Sequence, residues 1–310
     1  MLKRFSVKKI LVSLSVLITL LIIYLIPTEP EVEFKQELSY SEENVLVNDI
    51  YLIDSYEYVA LTNVGIIATS VESQAEEILN ILIQGGPGEN KIPNGFKAII
   101  NSETTINEII YDNKILKIDL SKELFDTNKE YEIKVLEVLV YSLTSLDKVD
   151  GLEIYIDGKK LTELPISKIK LPDILDKTFG INKEYDISNL KDINQVTIYY
   201  LNKYNDNYYY VPVTKYLNDN REKVSIIIDE LSNNKYQSGL MSFMNTNTEL
   251  VETMLEADEV ILNFNQSIYN DLDNKTILSE VVKTINLSIE ANYKIENVVY
   301  NVDSEPINLN

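Results

Sequence analysis

The stretch ILIQGGPGENKIPNG, residues 81–95, decides between two folds. It holds four of the chain's nine glycines and two of its eight prolines. A phosphate-cradling loop would follow a strand and open a helix, making the chain a nucleotide-binding protein. The flanking residues give the opposite order. TSVESQAEEILNILIQ (69–84) carries Val71, Ala75, Ile78 and Leu82 at helical steps, so a helix precedes the glycines. Gly85 and Gly86 stand where that helix needs a left-handed stop, and Pro87 prevents its continuation. Gly88, Pro93 and Gly95 then steer a long crossover into the next strand. The stretch fits neither G-x-G-x-x-G nor G-x-x-x-x-G-K-[ST], so it reads as a scaffold turn.

The elements on either side occur twice. In the first copy, DIYLIDS (49–55) and EYVALTNV (57–64) are short strands, followed by the helix with Thr69-x-x-Glu72 as a capping box. After the turn, TTINEIIYDNKILKIDL (104–120) is a hairpin around Asp112-Asn113. EYEIKVLEVLVYSLTSL (130–146) is a second helix with an apolar stripe, and KVDGLEIYIDGKKL (148–161) a closing strand with an Asp157-Gly158 turn. The second copy keeps the order: strand pair 194–216, helix 220–231 with Asp219-x-x-Glu222 as its box, strand pair 247–264, helix 275–291, closing strand 293–307. Setting Ile118-Asp119-Leu120 over Leu262-Asn263-Phe264 gives an offset of 144 residues. The fold class is therefore α/β (α+β): two tandem small domains, each a mainly antiparallel sheet covered by two helices. Residues 47–161 form domain 1, 162–192 a linker able to pack on both, and 193–310 a divergent domain 2.

The 310 residues suffice for two such domains, and 45% apolar residues can build their cores. Charge is uneven. Lys3, Arg4, Lys8 and Lys9 precede the first acid, Glu29; beyond residue 9 the chain carries 24 basic and 49 acidic residues. So acidic a body repels nucleic acid. Residues 10–26, ILVSLSVLITLLIIYLI, are uncharged and would span about 26 Å as a helix. With the basic cluster before them, they read as an uncleaved anchor that leaves residues 1–9 cytoplasmic and exports the rest. No small-x-small cleavage site between Tyr24 and Glu31 supports the rival reading, a cleaved signal peptide. Residues 27–46 form a tether.

Chemistry is thin. The chain has no histidine and no cysteine, which removes imidazole shuttles, Ser-His-Asp catalysis, thiolate ligands and disulfides. Carboxylate pairs such as Asp147 with Asp150 or Glu222 with Glu230 read as solvated surface charge. NDLDNKTILSE (270–280) faintly suggests a calcium loop, but Lys275 stands at a ligand position and Thr276 at the turn glycine. We expect no catalytic residue, metal or cofactor. Tyrosine is abundant, with 21 residues, and clusters in YNDNYYYVPVTKY (204–216). Alternation puts Tyr208 and Tyr210 on one face and Tyr209 on the other, as strand filling or as contact surface.

These segments resemble the GerMN domain of bacterial sporulation and spore germination proteins. The resemblance rests on Gly86-Pro87 after a leucine-rich helix, Ile92-Pro93-Asn94-Gly95 before a strand, Ile118-Asp119-Leu120, and the closing run Leu152 to Gly158. The second copy lacks the Gly-Pro stop and the proline-glycine lead-in. The resemblance implies tandem domains outside the cell membrane, similar in fold to the ring-building modules of secretion systems. It implies a non-catalytic role in assembling a transenvelope complex between mother cell and forespore, with protein partners and self-association in a ring. It marks Gly86, Pro87, Pro93, Gly95, Asp119 and Gly158 as structural candidates, beside Tyr208, Tyr209 and Tyr210 as contact candidates. Some members of the family are lipoproteins; without a cysteine, this chain would use residues 10–26 instead. The alternative is a module that binds wall glycan or regulates a hydrolase.

Overall fold

A computed structural model describes residues 11, 14–21, 45–233, 239–256, 258–295, 297–307 and 309. The chain divides into two units, Met1–Glu43 and Asn44–Asn310. In the first, Leu11 and residues 14–21 are helical, and the Thr19 hydroxyl donates to the Ser15 carbonyl at 2.9 Å. The rest of the expected anchor, the basic tail and most of the tether lie outside the described residues. Among the described residues no helix is long and apolar enough to cross a membrane.

The second unit opens with a hairpin, β1 (Leu46–Asp54) and β2 (Val59–Ile66), then α1 (Val71–Leu82), β3 (Phe96–Lys97), β4 (Ile106–Asp112) and β5 (Ile115–Leu120). The helix α2 (Lys129–Leu143) leads to β6 (Gly151–Ile156) and β7 (Lys159–Lys160), and the linker contributes β8 (Glu184–Asp186). The second copy runs β9 (Asn194–Tyr204), β10 (Asn207–Leu217), α3 (Lys223–Ser232), β11 (Leu250–Leu255), β12 (Glu259–Phe264), α4 (Ser279–Asn292), β13 (Asn297–Val302) and β14 (Glu305–Pro306). The order is the one the sequence repeats.

Both capping boxes shift. The N-cap of α1 is Ser70, whose hydroxyl accepts from Ser73 N at 3.2 Å, one residue after the expected threonine. At α3 the N-cap is Glu222 and makes no side-chain bond. Asp219 accepts from Arg221 N at 3.0 Å and holds the Arg221 guanidinium at 2.7 Å instead. That guanidinium also bonds Asp229, so the arginine competes the box away.

The sheets differ from expectation as well. Each repeat divides its strands between two sheets. One is four-stranded, β4-β5-β6-β7 in the first repeat and β11-β12-β13-β14 in the second. It is mixed, because β5 runs parallel to β6 and β12 to β13. A helix crossover joins each of those pairs, and such a connection returns the chain in the same direction. The other sheet is common to both repeats: β3-β1-β2-β10-β8, with β9 also on β10. The two hairpins join at Leu61 opposite Tyr210.

The helix α2 carries more than one apolar stripe. Every residue from Val135 to Leu143 is buried, because the helix packs on β1 and on β6. Its polar groups find uses there. The Ser142 hydroxyl accepts from Tyr51 N at 2.9 Å, and in the second repeat Ser288 of α4 accepts from Tyr199 N at 2.9 Å. The first core extends beyond its own repeat, through Leu164, Leu175 and Ile181 of the linker to Tyr199 and Leu287.

Candidate functional site

The chemistry-bearing groups of this chain converge on the joint between the repeats. Tyr51 of β1 and Tyr199 of β9 occupy equivalent places, and their hydroxyls meet at 2.7 Å. Three residues along, the equivalent pair Asp54 and Asn202 also meet, the amide donating to the carboxylate at 3.3 Å. Equivalent residues touching each other define a local twofold, the arrangement of a symmetric dimer folded into one chain. Asp54 is 1% exposed. It accepts from Tyr56 N at 2.9 Å, Tyr58 N at 2.8 Å and the Tyr209 hydroxyl at 2.8 Å, so both oxygens are satisfied. Burial pushes the Tyr51, Tyr199 and Tyr209 phenols well above their ordinary range, which keeps them neutral hydrogen-bonding groups.

The linker completes the joint through the two buried acids of α2. Glu132 accepts from Ile166 N at 2.6 Å and Ser167 N at 2.8 Å. Glu137 accepts from Asn182 N at 3.1 Å and pairs with Lys183 at 3.3 Å. Burial raises the Glu137 carboxyl and lowers the Lys183 ammonium from their ordinary values. The Asn182 amide donates to the Val59 carbonyl of β2 at 2.7 Å and to the Pro212 carbonyl of β10 at 2.8 Å, clipping the two hairpins together.

The motif residues read from the sequence serve this frame. The helix α1 ends at Leu82 and its C-cap Ile83 is extended, bridging to Ile100, so the expected left-handed stop is not its terminator; Gly85, with φ +67, turns the chain two residues later. A Cβ on Gly86 would lie 2.5 Å from the Asn80 carbonyl oxygen. Pro87 is exposed just beyond it. The Pro93 carbonyl accepts from Phe96 N at 3.3 Å, closing a turn in which Gly95 has φ +95 and lies flat on the Tyr204 ring of the second repeat. Asp119 accepts from Gly158 N at 3.0 and 3.1 Å and so fastens the Asp157-Gly158 turn; Asn263 does the same for Ser304 N at 2.9 Å.

The three adjacent tyrosines part company. Tyr208 is exposed, edge-on to Phe243 at 5.0 Å. Tyr209 is buried at the joint, edge-on to Phe96 at 4.9 Å. Tyr210 borders a cavity of about 540 Å³ that Lys275, Ile277, Lys283, Asn286 and Ile307 also line. Among the described residues no cluster of carboxylates could hold a metal ion. Asp271 instead caps its own turn, accepting from Asp273 N at 2.9 Å and Asn274 N at 3.0 Å.

Sequence reading missed Tyr51, Asp54, Glu132, Glu137, Asn182 and Tyr199. The repeat could have pointed to the tyrosine pair, since both sit second in matching apolar segments (IYLID and IYYLN).

The architecture defines a class: a tandem α+β repeat whose polar interior is devoted to fixing one copy against the other. A family profile described as "Germane: Sporulation and spore germination" matches residues 49–162. The spore germination protein GerM of Bacillus subtilis (strain 168) is 34% identical over 274 residues, covering 86% of this chain and 74% of the relative. The solved tandem GerMN domains of the sporulation protein GerM from Bacillus subtilis superpose with a TM-score of 0.76 at 31% identity, over 86% of this chain and 97% of theirs. This chain belongs to the GerM-like family of GerMN-domain proteins.

Proposed function

We propose that this chain is a non-catalytic assembly protein of the cell envelope, acting in spore formation or germination and supporting a complex between mother cell and forespore. One observation carries the reading. The buried acids Asp54, Glu132 and Glu137, and the half-buried amide of Asn182, all hold backbone or partner side chains of the repeats and linker. They make a rigid platform, which is what a scaffold needs. The Bacillus subtilis relative, called a spore germination and sporulation protein, supports the biological setting. Residues 10–26 are proposed as the membrane anchor, with residues 1–9 cytoplasmic and the repeats outside. The glycan reading draws less support, because Tyr208, Tyr209 and Tyr210 do not share one concave face.

The test is photocrosslinking from exposed positions in residues 45–161, in sporulating Bacillus subtilis whose own GerM is replaced by this chain. Captured subunits of an envelope complex support assembly. Capture of only wall fragments or wall hydrolases overturns it.

A further inference from the structure

We propose that the outer edge of β11 is a docking edge for an extended, basic segment of a partner protein, which adds to the sheet as a fifth strand. This deepens the assembly reading and rests on it only in taking the partner to be a protein.

Among the described residues the strand β11 ends its sheet, with β12 on one side and no strand on the other. The orientation of its free groups follows from the ladder. Glu256 N donates to the Glu259 carbonyl at 2.9 Å, so alternation points the N–H and C=O of Met254 inward and those of Thr253 and Leu255 outward. An exposed row of main-chain donors and acceptors is a template for another strand.

Its side chains are unusual for an unpaired edge. Val251 is 62% exposed, Met254 47% and Leu255 44%. The equivalent positions of β4 in the first repeat are Asn107, Ile110 and Tyr111, and Tyr111 is tied by its hydroxyl to the Lys148 carbonyl at 3.0 Å. Natural edges are normally blunted with charge, especially lysine; this edge carries acids but no lysine, and it leaves three large apolar side chains exposed.

Charge states what kind of strand would fit. From residue 236 to residue 274 the chain has no lysine or arginine, yet it carries Glu249, Glu252, Glu256, Asp258 and Glu259 on and around this strand. None of these five enters an ion pair among the described residues. Thr253 and Leu255 share the face on which their partners Leu262 and Val260 are buried. Glu252, Met254 and Glu256 share the opposite face. An incoming strand of alternating apolar and basic residues would extend the buried face past Leu255 and set its cations against Glu252 and Glu256. A second copy of β11 would place glutamate against glutamate across the new ladder, which is unfavourable.

The test uses the full chain and a fluorescent nine-residue peptide of alternating lysine and valine. Two controls accompany it, the same peptide with alternate main-chain nitrogens methylated and a glutamate–valine peptide. We expect the lysine–valine peptide to bind at least tenfold more tightly than either control. Thr253→Pro, which removes an outward N–H and leaves the β12 ladder its bonds, should weaken binding at least tenfold. The surface pair Glu252→Lys with Glu256→Lys should do the same, and it keeps the question open to refutation if the proline variant misfolds. Equal binding of the methylated peptide, or undiminished binding by the lysine pair, overturns strand addition. Sedimentation showing a dimer of the full chain that Thr253→Pro dissolves overturns the basic partner in favour of a second copy. Each overturning result leaves the crosslinking test of assembly untouched.

Discussion

At Asp119 the repeat serves as its own control. The carboxylate accepts from Gly158 N, and the second copy gives the same task to the amide oxygen of Asn263. What the turn requires is an acceptor of that length, not a charge. Asp119→Asn should therefore change stability by less than about 0.5 kcal/mol, whereas Asp119→Ala should cost about 1–2 kcal/mol by leaving the turn's N–H without its partner. Urea denaturation of both variants checks this, and equal losses would contradict it. Gly95 sets the opposite kind of limit. Its φ of +95 strains any other residue, and a Cβ would lie 2.5 Å from Cγ of Tyr204. The rooted end of an aromatic ring cannot move aside easily. Gly95→Ala should lower stability by about 2–3 kcal/mol, read by the same urea denaturation, with Tyr204→Ala in the same chain recovering part of the loss by removing the clash.

At the scale of elements, the sequence names the pieces but not their partners. Periodicity finds the helices and strands because it records which face is apolar. Strand pairing depends on residues far apart in the chain, so the division into two sheets per repeat, and the sharing of one between repeats, leave no local signature. The helix α2 reads as one stripe because the serine and glutamates that interrupt its apolar run look like a solvated face. They are buried, with Ser142 and Glu132 each bonded to backbone N–H groups far along the chain. The joint is hidden for the same reason. Tyr51, Asp54 and Tyr199 look like ordinary strand residues until the repeats are set against each other. The glycine-rich crossover was legible as a turn, but not its attachment. Lys91 within it donates to the Gly65 carbonyl at 2.9 Å and pairs with Glu77 of α1. Glu77 also accepts from Ile67 N and Ala68 N at 3.1 Å. Burial opposes its ionisation, but Lys91 and the two backbone donors prevail, and its carboxyl lies below the usual value. A depressed carboxyl stabilises the fold above its unfolded value and loses that contribution as pH falls through its folded one. Glu77→Gln should thus cost about 1 kcal/mol at pH 7. The gap to the unsubstituted chain should close as pH falls below the ordinary glutamate range of about 4.3. Thermal melts of both proteins between pH 7 and pH 3 check the sign: a gap that widens in acid would refute it.

At the scale of the whole molecule, the question is whether residues 44–310 unfold as two domains or as one. Interfaces between domains of one chain are usually polar and modest, and they permit independent melting. Here the first core runs through the linker into Tyr199 and Leu287, and a third cluster, with Ala60 of β2 beside Val211 and Val213 of β10, belongs to both repeats. The bonds at the joint are buried as well, so separating the repeats would strand Asp54, Asn202 and the paired tyrosine hydroxyls without their partners. Separation before unfolding is therefore unfavourable, and calorimetry should show a single transition whose van't Hoff and calorimetric enthalpies agree. Asp54→Ala removes the acceptor shared by Tyr56 N, Tyr58 N, Asn202 and Tyr209. It should cost about 3 kcal/mol or more, of the order seen when one member of a buried polar network is deleted. It should also resolve the single transition into two, because the bonds from Asn202 and Tyr209 that it removes lie between the repeats. Two transitions in the unsubstituted chain would mean that the joint is a contact between finished domains, and a platform made of them would bend where a rigid one is needed.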